Sequence, residues 1–483
     1  MRGVDGDPHD GLTVVHSDVL TSIEDRFRDA AERSAEATAR GRRAGGLVHN
    51  DAVASAIDHA LADAERARRD LMHIAVTLEA AHRVVDGAEY AVQATLQRVS
   101  GHVAALIGMA GAPLLAAAAV PLIGPAIVGA VGFALLPEAE QQKLLALAER
   151  GLDELSRRAA TPEGAAAVGW LANNIGSLAL GAVGVPSHIA VALGEGGHDL
   201  INLESISILA SGFAVAAGVS GVANVRVTPQ PVPSAGGAQS RQVPSAAPPA
   251  YAQPVTAPTS VGDRIVRLPD GAGSQVRVET YPGENGPRYE VYIAGTDPAA
   301  TFGGVNPFDM ASNLALTAQL DASSLKAAVV ALEQAGATAD SEVVFTGHSQ
   351  GALVAAHLAE SGQYRTAGLV TVGGPISDVP ITGDYPAIVI EHTDDFIPSA
   401  TGDHSPLTRA TVIETRSFPG GAPDLFAPHA AETYVPTARS VDSADDYSIT
   451  HARDRLPHEP TLGTVTMHRG ERMLDGDGGQ GGR

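Results

Sequence analysis

Apolar residues recur every three or four positions through the first hundred residues of the chain. Val19, Ile23, Phe27 and Ala30 share one helical face, with Asp, Glu and Arg between them. Gly45-Gly46 breaks that pattern, and Asn50 or Asp51 can cap a second helix. Its stripe passes through Ile57, Leu61, Ala64, Leu71, Ile74, Leu78, Ala81, Val85, Ala88, Val92 and Leu96. Two long amphipathic helices joined by a glycine turn are therefore expected over residues 1–100. From 103 to 136 the chain carries no charge, and weakly polar stretches follow at 164–193, around the sole tryptophan Trp170, and at 206–225. An uncharged run beyond about 18–20 residues is a membrane-span candidate by length. However, Pro113, Pro121 and Pro125 cut the first run into short pieces, Asn173, Asn174 and His188 interrupt the second, and Ala and Gly dominate. The competing expectation is a packed Ala/Gly-rich helical region over 101–227.

Residues 228–260 are rich in Pro, Ala, Ser and Gln and nearly free of charge, which predicts a semi-extended linker. Beyond it the pattern changes to short buried runs of strand length alternating with helices, the signature of an α/β fold with a mostly parallel sheet. This domain is expected over 261–460. A Gly- and Asp-rich tail, 461–483, is expected to be disordered.

The most specific segment is 343–351, Val-Val-Phe-Thr-Gly-His-Ser-Gln-Gly. A β-rich run enters a Gly-x-Ser-x-Gly turn, and 352–358 continue as a small-residue helix. That is the context of a nucleophile elbow, in which Ser349 is held on a sharp turn and Gly347 and Gly351 avoid Cβ clashes. In such an architecture the acid and then the base follow the serine in the chain. The buried run 387–391 ends in His392-Thr393-Asp394-Asp395, so Asp394 and Asp395 both lie where a strand's carboxyl end meets a ligand. For the base, His429 follows a predicted strand at 411–415 and a Pro/Gly loop, and opens a helix. His404 is the best substitute, whereas His451, His458 and His468 fall in polar sequence and are expected to be solvated. Two N–H groups would bind an oxyanion: that of Gln350, next to the nucleophile, and that of Thr296, in the loop after the predicted strand 289–294. Residues 298–320 read either as a mobile lid or as a helix packed on the sheet.

Residues 262–456 resemble the class 3 lipase family of α/β hydrolases. The matching pieces are Ala294-Gly295-Thr296, the elbow Gly-His-Ser-Gln-Gly (347–351), Asp395-Phe396-Ile397-Pro398 and a late histidine. The resemblance implies that Asp395 rather than Asp394 is the acid, that Thr296 belongs to the oxyanion loop, and that acyl esters, commonly lipids, are hydrolysed without a metal or organic cofactor. The N-terminal hairpin resembles the helical modules of actinobacterial type VII secretion substrates, which would imply a non-classical export route. It departs from them in having no Trp-x-Gly at the turn and Ala94 four residues after Tyr90, which favours a hairpin for packing or self-association.

At 483 residues with a formal charge of -23, the chain is expected to hold two or three domains and to avoid nucleic acid and anionic membrane surfaces. The absence of cysteine excludes disulfides and thiolate metal sites. The start, Met-Arg-Gly-Val-Asp-Gly-Asp-Pro, has no apolar core after a basic head, so no ordinary signal peptide is expected. Two functions compete on these grounds. One is a serine ester hydrolase using Ser349, Asp395 and His429; the other is a membrane-active or secreted toxin or scaffold whose hydrolase-like domain binds rather than cleaves.

Overall fold

A computed structural model describes residues 12–16, 27–40, 59–77, 100–105, 160–182, 187, 221–232 and 251–473, apart from 29, 102, 272, 284–285, 318 and 406. The chain forms two compact units, residues 17–96 and the remainder. In the first, 27–40 and 59–77 are helical, and the Ser34 hydroxyl donates to the Ala64 carbonyl at 3.4 Å. The expected glycine turn and most of the uncharged runs 103–136 and 206–225 lie outside the described residues. Among the described residues no helix is long and apolar enough to cross a membrane.

The second unit is an α/β fold. Its sheet runs in the order β1 (Thr13–His16), β9 (Thr411–Thr415), β8 (Ala387–His392), β7 (Arg365–Val372), β6 (Glu342–His348), β5 (Arg288–Ile293), β4 (Val276–Tyr281), β10 (Leu462–Arg472) and β2 (Val225–Gln230), with β3 (Gln253–Thr256) also on β10. Strands β5 to β9 pair in parallel, whereas the pairings on either side are antiparallel. The period-2 alternation of the strands separates two apolar layers. Leu369, Ala387 and Val389 face one layer, with α3 (Met310–Thr317), α4 (Ser323–Gln334) and α5 (Gln350–Glu360). Val370, Val372, Ile388 and Ile390 face the other, with α2 (Val261–Ile265), α6 (Ala431–Ser443) and α7 (Tyr447–Arg455).

Three expected boundaries change. Both ends of the Pro-rich stretch 228–260 are strands rather than linker, and part of the expected disordered tail is the long strand β10. The prolines fit because β2 and β3 form the outer edge: Pro229 is opposite His468 and Pro254 opposite Thr464. Proline is tolerated on edge strands, where its missing donor breaks no inner ladder. Helix α1 (Pro162–Ala182), assigned above to a separate helical region, packs in this same unit against the 3₁₀ turn Pro398–Thr401. There the Asn173 side chain accepts from the Asp403 N–H at 3.2 Å.

Beside the apolar contacts of Val261 and Ile265, α2 also meets buried charge on β4 and β5. Arg264 and Glu290 are buried together, with Nη2 to Oε1 at 2.8 Å and Nε to Oε2 at 3.1 Å. Beside them the buried Glu279 accepts from Arg267, Arg277, Tyr281 and Tyr292. Each partner satisfies a charge that burial would otherwise penalise. Arg264→Met strands the Glu290 carboxylate and should lower stability by about 3–5 kcal/mol in urea unfolding. A loss below about 1 kcal/mol would show that the pairing does not hold the layer together.

Candidate active site

The turn from β6 into α5 places Ser349 at φ 54° and ψ −121°, left-handed space that a non-glycine residue rarely enters. Its N–H donates to the Val372 carbonyl at 3.1 Å, and its own carbonyl accepts from Ala352 at 3.0 Å, so both backbone groups are satisfied in the strained position. The flanking glycines are required by close approach rather than by φ. A Cβ at residue 347 would overlap the Gly351 carbonyl, and one at 351 would overlap the carbonyls of Ile293 and Ala294.

The side chains of Ser349, His429 and Asp395 come together from three loops at the carboxyl ends of the parallel strands. His429 ends the 3₁₀ turn Ala427–His429, with Nε2 2.8 Å from Ser349 Oγ and Nδ1 2.7 Å from Asp395 Oδ2. A carboxylate only accepts, so the proton sits on Nδ1, and Nε2 is left to accept from the serine hydroxyl. Asp395 is fully buried; its other oxygen accepts the Ile397 N–H at 3.0 Å. Asp394, the alternative acid, points elsewhere. It accepts from the N–H and hydroxyl of Ser417 and from the Phe418 N–H, and so fixes the loop after β9. His404 is engaged with Glu391 at 3.0 Å.

Of the three later histidines expected to be solvated, His458 is exposed, His451 half-buried and His468 buried. His468 is buried in β10, its ring 2.9 Å from the Thr466 hydroxyl, and burial pushes its pKa down to about 4. His451 stacks on Tyr447, and His458 donates to the Leu456 carbonyl at 2.9 Å.

Residues beyond the sequence expectations support the three. Tyr434, on α6, donates to the same Asp395 oxygen at 2.8 Å. His392 stacks on the Tyr434 ring at 3.8 Å between centroids. Its Nδ1 donates to the Pro428 carbonyl and its Nε2 accepts from Thr437. The loop bearing His429 is thus tied to β8 on one side. On the other, His348 Nε2 donates to the His429 carbonyl at 2.7 Å. Nothing in spacing or pattern marks Tyr434 or His392, because their roles arise from packing between distant segments.

The loop after β5 reaches the serine because Gly295 has no side chain; a Cβ there would lie 3.1 Å from Ser349 Cβ and 3.0 Å from His348 Nδ1. The next residue, Thr296, accepts at its hydroxyl from Asn313 of α3 at 2.7 Å. That leaves the hydroxyl proton free to point at a ligand. Within 298–320, residues 310–317 form α3, which buries Ala311, Ser312, Ala315 and Leu316 and packs on α4 and α5, while Phe302, Val305 and Met310 remain exposed. Among the described residues no group of three or more His, Asp or Glu side chains is arranged to hold a metal ion. No protein family, curated protein or solved structure matches the chain.

Two outcomes follow from this geometry. Gly351→Ala forces backbone apart and should cost at least about 1–3 kcal/mol in urea unfolding, whereas Gly420→Ala, with nothing within 4 Å, should stay within about 0.5 kcal/mol. Burial, reinforced by the neighbouring His429, lowers the His348 pKa from 6.5 to about 3. Between those values the unfolded chain holds a proton on this ring that the folded chain lacks, so acidification favours unfolding. His348→Gln keeps a donor without the titration. Its urea midpoint should therefore fall less than that of the unaltered chain between about pH 7.5 and about pH 4.5; equal falls would refute the assignment.

Proposed function

We propose that the chain is a serine ester hydrolase of α/β-hydrolase type, similar to the class 3 lipases, working through an acyl-enzyme. The observation that carries this reading is the continuous hydrogen-bonded path from Ser349 through His429 to the buried Asp395, at 2.8 and 2.7 Å, with the serine in a strained backbone position. His429 takes the serine proton as Oγ attacks the ester carbonyl, and Asp395 keeps the imidazole in the reactive tautomer and stabilises the imidazolium. The N–H groups of Gln350 and Thr296, with the free Thr296 hydroxyl proton, receive the developing oxyanion. His429 then protonates the leaving alcohol. Water, deprotonated by the same imidazole, attacks the acyl-serine and releases the acid.

An apolar acyl group suits the surroundings. Phe396 and Phe426 pack together at 5.7 Å beside the acid and the base, and Met310 lies against Asn313. Phe426 and Met310 are both exposed. Ser349→Ala should lower kcat/KM for short and medium acyl p-nitrophenyl esters by at least about 10³-fold. A fluorophosphonate should label the unaltered chain at Ser349 and leave the variant unlabelled. Unchanged turnover in the variant, or labelling elsewhere, refutes the reading.

A further inference from the structure

A buried and fully hydrogen-bonded charge pair lies outside the catalytic three. Arg472, the last residue of β10, and Asp309, which precedes α3, are both wholly buried. All five N–H donors of the guanidinium are engaged. Nη2 reaches Asp309 Oδ1 and Ser312 Oγ, each at 2.9 Å. Nη1 reaches Asp309 Oδ2 at 3.1 Å and the Gly304 carbonyl, and Nε reaches Ser323 Oγ at 3.2 Å. Asp309 in turn accepts from Gly303 N–H at 2.6 Å and caps α3 through the Ser312 N–H at 3.0 Å.

From this hub two paths run to the two oxyanion donors. The Asp309 carbonyl accepts from Gln350 Nε2 at 3.1 Å; because a carbonyl only accepts, the amide orientation is fixed. Gln350 is the residue whose N–H follows the nucleophile. On the other side, the helix that Asp309 caps carries Asn313, which holds the Thr296 hydroxyl. The Phe308 carbonyl also accepts the Asp297 N–H at 2.9 Å. The elbow after β6 is therefore referenced to the Asp309 main-chain carbonyl and the loop after β5 to the helix that the Asp309 carboxylate caps, so both lean on one buried residue that Arg472 of β10 grips.

We infer that Arg472, acting through Asp309, and the side chain of Gln350 are positioning residues that hold the two oxyanion donors in register. This rests on the ester-hydrolase reading. It also gives β10 a part in turnover as well as in the sheet. A loss of register weakens transition-state stabilisation while leaving ground-state binding intact.

The test uses the full chain with Gln350→Met, which keeps volume and the backbone N–H, and Arg472→Lys, which keeps charge but cannot fork. Turnover of a p-nitrophenyl ester, inhibition by an alkyl boronic acid that forms a tetrahedral adduct on serine, and thermal unfolding are measured for each. For Gln350→Met we expect kcat to fall about 10- to 100-fold with KM within about twofold, and boronate affinity to weaken by a similar factor. Arg472→Lys should show the same split between kcat and KM. The inference is overturned if folded variants keep kcat and boronate affinity within about twofold, or if only the melting temperature falls. A wild-type chain that neither turns over esters nor reacts with a fluorophosphonate sinks the hydrolase reading itself, and this inference with it.

Discussion

The backbone between β6 and α5 must pass within contact distance of the end of β5, and the candidate site is built on that approach. Glycine at 347 and 351 lets the elbow close on itself and on the Ile293 and Ala294 carbonyls, while Gly295 lets the neighbouring loop come up to Ser349 and His348. A methyl group at any of these positions meets atoms already in place. The strain in the Ser349 backbone is held by hydrogen bonds on both sides of it and by the packed ends of two parallel strands.

Around that approach, direction matters as much as distance. Each histidine near the site faces at least one group that can only accept, and so each tautomer is determined by its surroundings. His429 donates to Asp395, His348 donates to the His429 carbonyl, and His392 donates to the Pro428 carbonyl. The result is a one-way arrangement of protons in which the serine-facing nitrogen of His429 remains an acceptor. Tyr434 and the Ile397 N–H satisfy the rest of the buried Asp395 carboxylate, which would be costly to leave charged without them.

The sheet that carries these loops is completed by chain segments far apart in sequence. β1 comes from the N-terminal residues, β2 and β3 from either end of the Pro-rich stretch, and β10 from the end of the described chain. Helix α1 reaches the turn just beyond Asp395. Ser349, His429, Asp395 and their supporting residues therefore belong to a unit whose edges are contributed from outside the run of residues that bears the motifs. A boundary drawn at the linker would remove α1, β1, β2 and part of the edge.

Local rules are enough for the parts that depend on neighbours in the chain. The strand–turn–helix around Ser349, the short buried runs of the parallel strands, the α/β class and the choice of Ser349 and His429 were legible, because period, turn chemistry and chain order are short-range properties. What they left undecided needed long-range pairing. Asp394 and Asp395 are adjacent and chemically identical, so spacing alone leaves them open, and the contacts to Ser417 and Phe418 on one side and to His429 on the other tell them apart. β10 read as a disordered tail because two of its buried positions are His468 and Arg472. Polar residues go inside only when partners such as Thr466 and Asp309 are waiting there, and those partners are brought up by the tertiary fold.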